Sequence, residues 1–218
     1  MQSIAKDIIK IGELMYRKGF VAANDGNISA RTGDGAFIMT PSGVSKGEMR
    51  EDDLLVVDGA GKVLRGSKKL TSEYKMHLAV YEARPDINAV VHAHPPYSTA
   101  FAISGQSLDK IALPEVVFSL GKVMFTEYAT PSTPELPAAV RKVIGQSDAL
   151  ILRNHGALTA GRDVLSAYYK METLEHFARI TFLARMLGGE RELSKKQIET
   201  LFDIRENVYG QSNDIFKK

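Results

Sequence analysis

The feature that most constrains this chain is the stretch Ala89-Val90-Val91-His92-Ala93-His94-Pro95-Pro96, an apolar run that carries two histidines one residue apart and stops at two prolines. Such a run of small and β-branched residues favours a strand, in which alternate side chains share a face. Val90, His92 and His94 therefore point one way, and Ala89, Val91 and Ala93 the other. Pro95 and Pro96 have no amide hydrogen to donate, so they mark the end of the strand, where a site can open. Two imidazoles at that spacing on one face can clamp one metal ion. Taken alone, the pair also fits surface histidines on an edge strand.

A metal site needs further ligands, and composition limits where they come from. The chain has no cysteine, which excludes disulfides, a thiolate nucleophile and any cysteine-based zinc site and leaves histidine and carboxylates. Of the five histidines, His155 is the candidate third ligand, because it follows the strand-like Ala149-Leu150-Ile151-Leu152 within the turn-forming Arg153-Asn154-His155-Gly156. Three imidazoles with a fourth position open form a catalytic rather than a structural zinc centre. His176, beside Glu172 and Glu175 in a helical pattern, reads as part of a solvated face. His77 reads as a helical histidine that packs or hydrogen-bonds structurally.

Around these stretches the 218 residues read as a single domain, 1–218, with 44% hydrophobic and 25% charged residues. Ile4, Ile8, Ile11 and Met15 predict an amphipathic helix over 3–18. Residues 28–31 and 36–40 predict a hairpin around Thr32-Gly33-Asp34-Gly35, and 54–57 with 62–64 a second around Asp58-Gly59-Ala60-Gly61. Leu70, Tyr74, Leu78 and Tyr81 mark a helix capped by Thr71 or Ser72, with Glu73 in its first turn and Arg84-Pro85 at its end. Ala157–Ala160 is the expected hairpin partner of the Ala149 strand. Asp163 then opens a long helix with Val164, Tyr168, Met171, Leu174, Ala178 and Thr181 on one stripe, ending at Gly188-Gly189. Ser194 and Gln197 form a capping-box signature for a last helix carrying Ile198, Leu201, Phe202 and Val208. Early hairpins, helices at both ends and mixed strand connections predict an α/β (α+β) three-layer fold, a mixed, largely antiparallel central sheet covered by helices. A dinucleotide fold is disfavoured, because no Gly-x-Gly-x-x-Gly joins a strand to a helix and there is no P-loop.

A net charge of +2, with basic and acidic residues interspersed, gives no electrostatic case for nucleic acid or for an acidic membrane. A small-molecule or protein partner is expected instead. Met1–Ile11 mixes Lys6, Asp7 and Lys10 into its apolar residues and resembles neither a signal peptide nor a membrane span, so the expected location is cytoplasmic. Glu73 has two readings, a general acid/base facing the metal or a carboxylate that complements a helix dipole. Gly26-Asn27, Ser42-Gly43 and Thr71-Ser72 supply hydroxyls and backbone amides of the kind that hold a phosphate.

Together, Gly26-Asn27-Ile28-Ser29, Thr40-Pro41-Ser42-Gly43, Thr71-Ser72-Glu73, His92-Ala93-His94-Pro95, Asn154-His155-Gly156 and Tyr209 resemble the class II aldolase/adducin family, of the L-fuculose-phosphate aldolase type, through nearly the whole chain. The resemblance implies Zn2+, or another divalent ion such as Co2+ or Mn2+, on His92, His94 and His155. It implies Glu73 as the acid/base carboxylate, and Asn27, Ser42, Gly43, Thr71 and Ser72 as the phosphate cradle. The reaction would be reversible cleavage of a ketose 1-phosphate, either L-fuculose 1-phosphate or a related pentulose or deoxypentulose 1-phosphate. It would yield dihydroxyacetone phosphate and an aldehyde through an enediolate that the ion stabilises. Relatives of this kind form homotetramers with active sites between subunits, so Tyr209 is expected to reach toward a neighbour's substrate. Two departures stand out. Thr71 occupies a position where the family commonly has serine, and Ala112-Leu113-Pro114-Glu115 stands where the aldolases carry a tyrosine contributed by a neighbouring subunit. Glu115 is the candidate substitute in proton transfer at the aldehyde end. Within the family, a methylthioribulose-1-phosphate dehydratase-like lyase is the runner-up, since it could use a glutamate at 115. Glu73 counts against a pentose-phosphate 4-epimerase, which usually has aspartate there, and the retained histidines count against a non-catalytic adducin-like module.

Overall fold

Alternation along residues 89–93 sorts the interior of the protein into two faces. The structure, a computed structural model, describes residues 2–211. In chain order its elements are α1 (Gln2–Arg17), β1 (Asn27–Arg31), β2 (Phe37–Met39), β3 (Leu55–Val57), β4 (Val63–Arg65), α2 (Tyr74–Ala83), β5 (Ala89–Ala93), α3 (Pro96–Ser104), α4 (Pro114–Ser119), β6 (Val123–Phe125), α5 (Glu135–Ile144), β7 (Ala149–Leu152), β8 (Gly156–Gly161), α6 (Val164–Met186) and α7 (Lys195–Asn207). The described strands form one eight-stranded sheet in the order β4-β3-β2-β1-β5-β8-β7-β6. Every pairing is antiparallel except β6 with β7, which gives the mixed, largely antiparallel sheet expected.

Helices cover both faces. Ala89, Val91 and Ala93 of β5 pack with Ile8, Ile11 and Met15 of α1, Phe101 of α3, Val116 of α4 and the Val164, Tyr168, Met171 and Leu174 stripe of α6. Val90 packs on the other side, with Met76, Leu78, Val80 and Tyr81 of α2 and Leu136, Val140 and Ile144 of α5. Each fully buried large apolar side chain contributes about 1.5–3 kcal/mol, so these stripes set which way every strand faces. The central strands are apolar on both sides for the same reason, whereas β4 is an exposed edge. Among the described residues, no helix is long and apolar enough to cross a membrane.

Four local readings need correction. Glu73 is the residue that precedes α2, not a member of its first turn, and neither Thr71 nor Ser72 caps the helix. Thr71 Oγ1 instead accepts the Glu73 amide at 3.4 Å. Glu175 does not belong to a solvated face: it is buried, and its carboxylate accepts the Tyr97 and Ser98 amides, both at 2.8 Å, at the start of α3. The capping box of α7 forms through Ser194 and Gln197, but the helix does not bury the expected apolar stripe. Val208 lies at its C-terminal end and is 70% exposed, and the residue α7 does bury is Arg205, whose Nε donates to Phe118 O at 3.3 Å.

Candidate active site

Three segments bring the polar groups together at the end of β5. The β1–β5 pairing sets Asn27 opposite His92. Gly26, with φ of +71°, makes the turn into β1, where a Cβ would come within 2.9 Å of His92 O. One residue beyond β5, the His94 amide donates to Phe20 O at 2.9 Å, which fixes the chain before Pro96 opens α3. His155 arrives from the β7–β8 hairpin, whose corner is Asn154 with φ of +57°. Gly156 admits the close approach, since a Cβ there would lie 2.5 Å from Ala93 O and 2.6 Å from the His94 ring.

The three imidazoles each present a nitrogen within 4.8 Å of the others'. His92 Nδ1 donates to Ala157 O at 2.9 Å, so its Nε2 is the nitrogen free to take a ligand. His94 Nδ1 lies 3.4 Å from Asp25 Oδ2, which likewise turns Nε2 inward. Glu73 enters from the start of α2, with Oε2 3.2 Å from His92 Nε2 and Oε1 3.3 Å from His155 Nε2. Its Oε2 also accepts from Asn27 Nδ2 at 2.8 Å. Glu73 Oε1, His92 Nε2, His94 Nε2 and His155 Nδ1 are all buried without a hydrogen-bond partner. Such atoms are costly unless something else satisfies them. A set of nitrogen donors with carboxylate and carbonyl partners behind them fits a divalent transition metal.

Electrostatics divide the three imidazoles. Burial opposes a charge on Glu73, but His92, His155 and the Asn27 amide outweigh it and hold the carboxyl well below the usual carboxylate range. Burial also acts against a charge on His92, yet the neighbouring carboxylate pushes this imidazole up. Burial and the charge of His92 lower His94, and press His155 down to about 4. Metal ligation requires neutral imidazoles, so the shifts of His94 and His155 favour it and that of His92 opposes it.

The loop expected to hold a phosphate is tied to the segment that leads into Glu73. The Ser42 amide donates to Lys69 O at 2.8 Å and Pro41 bridges to Leu70, so the 40–43 loop is held next to Thr71 and Ser72. Ser42, Gly43 and Ser72 are exposed there, and Thr71 is buried beneath them.

Residues 6–182 match the profile of the Class II Aldolase and Adducin N-terminal domain. The chain belongs to the class II aldolase and adducin family. It is an enzyme of the family's aldolase, or lyase, branch, as its relatives' names indicate. A protein named L-fuculose phosphate aldolase from Methanococcus maripaludis is 37% identical over 83% of this chain and 97% of its own. The 5-deoxy-D-ribulose 1-phosphate aldolase of Bacillus thuringiensis serovar kurstaki is 30% identical over 97% and 99%. The 3-oxo-tetronate 4-phosphate decarboxylase of Pectobacterium atrosepticum is also 30% identical, over 88% of each. A solved structure of L-fuculose 1-phosphate aldolase superposes with a TM-score of 0.87 at 30% identity, covering 93% of this chain and 96% of that one.

Against the class II aldolase pattern, two expected residues stand apart from the cluster. Glu115 is exposed in the first turn of α4 and lines a cavity of about 610 Å3 with Lys18, Phe20 and Tyr97; neither Glu73 nor any of the three histidines lines it. Tyr209 follows α7, is 57% exposed and sets its ring 5.2 Å from that of Phe118, away from Glu73. Sequence reasoning missed two nearer residues. Asp25 lay inside a stretch read as a turn, and its approach to His94 depends on tertiary contact. Lys46 carries no motif at all, yet it is buried, and its Nζ ties Asn24 O at 3.1 Å to Val44 O at 2.8 Å.

Proposed function

We propose that this class II aldolase reversibly cleaves a ketose 1-phosphate, either L-fuculose 1-phosphate or a related pentulose or deoxypentulose 1-phosphate. The products are dihydroxyacetone phosphate and an aldehyde. The observation that carries this reading is Glu73, a partly buried carboxylate whose Oε1 is buried and unpartnered beside three imidazoles that each keep an unpartnered nitrogen. A divalent ion, proposed as Zn2+ and held by His92, His94 and His155, supplies the Lewis acid that polarises the substrate carbonyl.

The chain's own groups do the rest. Ser42, Gly43, Thr71 and Ser72 hold the phosphate, remote from the breaking bond, and orient the substrate. The Asn27 side chain turns toward Glu73. In the synthetic direction the Glu73 carboxylate removes a proton from C3 of dihydroxyacetone phosphate. The electron pair left at C3 forms the C3–C4 bond to the aldehyde carbon, and the aldehyde oxygen takes up a proton. In cleavage the C4 hydroxyl loses that proton, the C3–C4 bond breaks and Glu73 returns a proton to C3. Glu115, or Tyr209 of a neighbouring copy in a homotetramer, handles the proton at the aldehyde oxygen.

The test is dihydroxyacetone phosphate release from a panel of ketose 1-phosphates by zinc-loaded protein, with and without a chelator. Release that the chelator stops is expected. No release from any member by protein with confirmed zinc overturns the reading, and loss of water without carbon–carbon cleavage would point to the dehydratase instead.

A further inference from the structure

His77 is the buried histidine that the metal cluster leaves out. It sits on α2 one turn beyond Glu73, and Tyr81 follows one turn later, so the three share a stripe. On β1, Asn27 and Ser29 are alternate residues and share the face opposite that stripe. The two rows interlock. Asn27 Nδ2 lies 2.8 Å from Glu73 Oε2, Asn27 Oδ1 2.5 Å from His77 Nε2, Ser29 Oγ 2.6 Å from His77 Nδ1, and Tyr81 Oη 2.7 Å from Ser29 Oγ.

The direction of every bond follows from one fact, that a carboxylate only accepts. Asn27 must donate from Nδ2 to Glu73, which turns its carbonyl Oδ1 toward His77. A carbonyl accepts, so His77 Nε2 carries the hydrogen. A neutral imidazole has a single N–H, so Nδ1 accepts from Ser29, and with that hydrogen engaged, Tyr81 donates to Ser29. Burial pushes His77 down to about 3, so the ring is neutral at ordinary pH.

We propose that His77 is a positioning residue for Glu73: it anchors the far end of the Asn27 amide that donates to the carboxylate, and thereby fixes where the carboxylate points. Without the His77 N–H the Asn27 amide is held by Glu73 alone. The two side chains then move together, and the carboxylate swings away from the substrate's C3. This rests on Glu73 acting at C3 as proposed above. Of the residues expected in the phosphate cradle, Ser42, Gly43, Thr71 and Ser72 lie outside the chain of bonds; Asn27 lies within it with both ends of its amide engaged by Glu73 and His77, so phosphate binding rests on the other four.

The test compares zinc-loaded wild type with His77→Phe, which fills the ring's volume without donor or acceptor, and His77→Gln, which keeps one of each. Exchange of the C3 hydrogen of dihydroxyacetone phosphate in D2O isolates the Glu73 step. In His77→Phe the exchange kcat should fall roughly 10- to 100-fold, the scale expected of a misplaced catalytic group. KM and zinc content should stay at wild-type values, and His77→Gln should recover most of the rate. Wild-type exchange in a zinc-replete His77→Phe overturns the proposal, as does equal impairment of both variants in step with loss of zinc and of thermal midpoint, which would mean a structural role only. A second readout stands apart from activity and from the folding of His77→Phe. In 15N-histidine spectra of the wild type, the His77 signal, assigned by its loss in His77→Gln, should show the neutral form protonated at Nε2; protonation at Nδ1 instead, or at both nitrogens, overturns the relay. If the wild type itself exchanges no C3 hydrogen, the reading of the site falls, and the ring tautomer is the arm that decides the relay.

Discussion

The histidine cluster and the α4–α7 edge both carry clear sequence signals, yet the structure leaves them in opposite conditions. At the cluster, β1, β5, the β7–β8 hairpin and the start of α2 converge: Glu73 lies 2.8 Å from Asn27, 3.2 Å from His92 and 3.3 Å from His155, and nitrogens of His92, His94 and His155 lie within 4.8 Å of one another. At the edge, Glu115 and Tyr209 are exposed on short or terminal elements and touch none of these groups. On the proposed reading, the chain alone assembles what C3 proton transfer needs, while the aldehyde end draws on residues of a second copy.

The largest effect should come from breaking the complete half. Glu73→Gln keeps the volume and the Asn27 neighbour but removes the proton acceptor, and loss of a general base costs typically ~10²–10⁴-fold. Both C3 hydrogen exchange and carbon–carbon cleavage should fall by that order, with zinc content intact by elemental analysis. Exchange at the wild-type rate would remove Glu73 from the mechanism. The next effect sharpens the contrast. Glu115→Ala and Tyr209→Phe should slow cleavage by roughly 10- to 100-fold while leaving C3 exchange alone, because they act on the aldehyde oxygen's proton. Should exchange fall in parallel with cleavage, the two regions form one site and the division drawn here is wrong.

What the sequence discloses follows the range of the interactions involved. Strand alternation puts Val90 and Val91 in opposite cores as read, because period and burial act over adjacent residues. The α6 stripe and the Asp163 and Ser194 caps are local in the same sense. Elements α3, α4, β6 and α5 carry short or proline-interrupted patterns and take their shape from packing, so the reading between residues 96 and 145 stayed coarse. Glu175 shows the limit plainly: beside His176 it looks solvated, and the distant Tyr97 and Ser98 amides and the Ser98 hydroxyl offset its burial. Glu73 escaped a helix-dipole role for a similar reason, since its partners come from β1, β5 and the β7–β8 turn. The apolar residues of α7 were legible as a pattern, but a pattern does not say what will cover it.

The smallest effect concerns what holds the complete half together. Lys46 joins the Asn24–Gly26 turn to the 40–44 loop through two carbonyls, and both bonds survive deprotonation because a neutral amine still donates. Burial lowers its pKa to about 8, with the charge of Asp25 acting against the shift. An unfolded lysine titrates near ~10.4, so between about pH 8 and that value the unfolded chain binds more protons than the native one. The sign is therefore positive: stability rises with pH through this window, by about 1.4 kcal/mol per unit at most, and the cost of the buried charge is felt in full below it. Lys46→Met has no such group. Tyrosines and other lysines titrate alike in both proteins, so in urea unfolding the wild type should gain on Lys46→Met by on the order of 2–3 kcal/mol between pH 8 and 10.5. A flat difference would mean that the two carbonyls hold Lys46 charged throughout, and that the turn and the 40–44 loop are tied by an ion rather than by an amine.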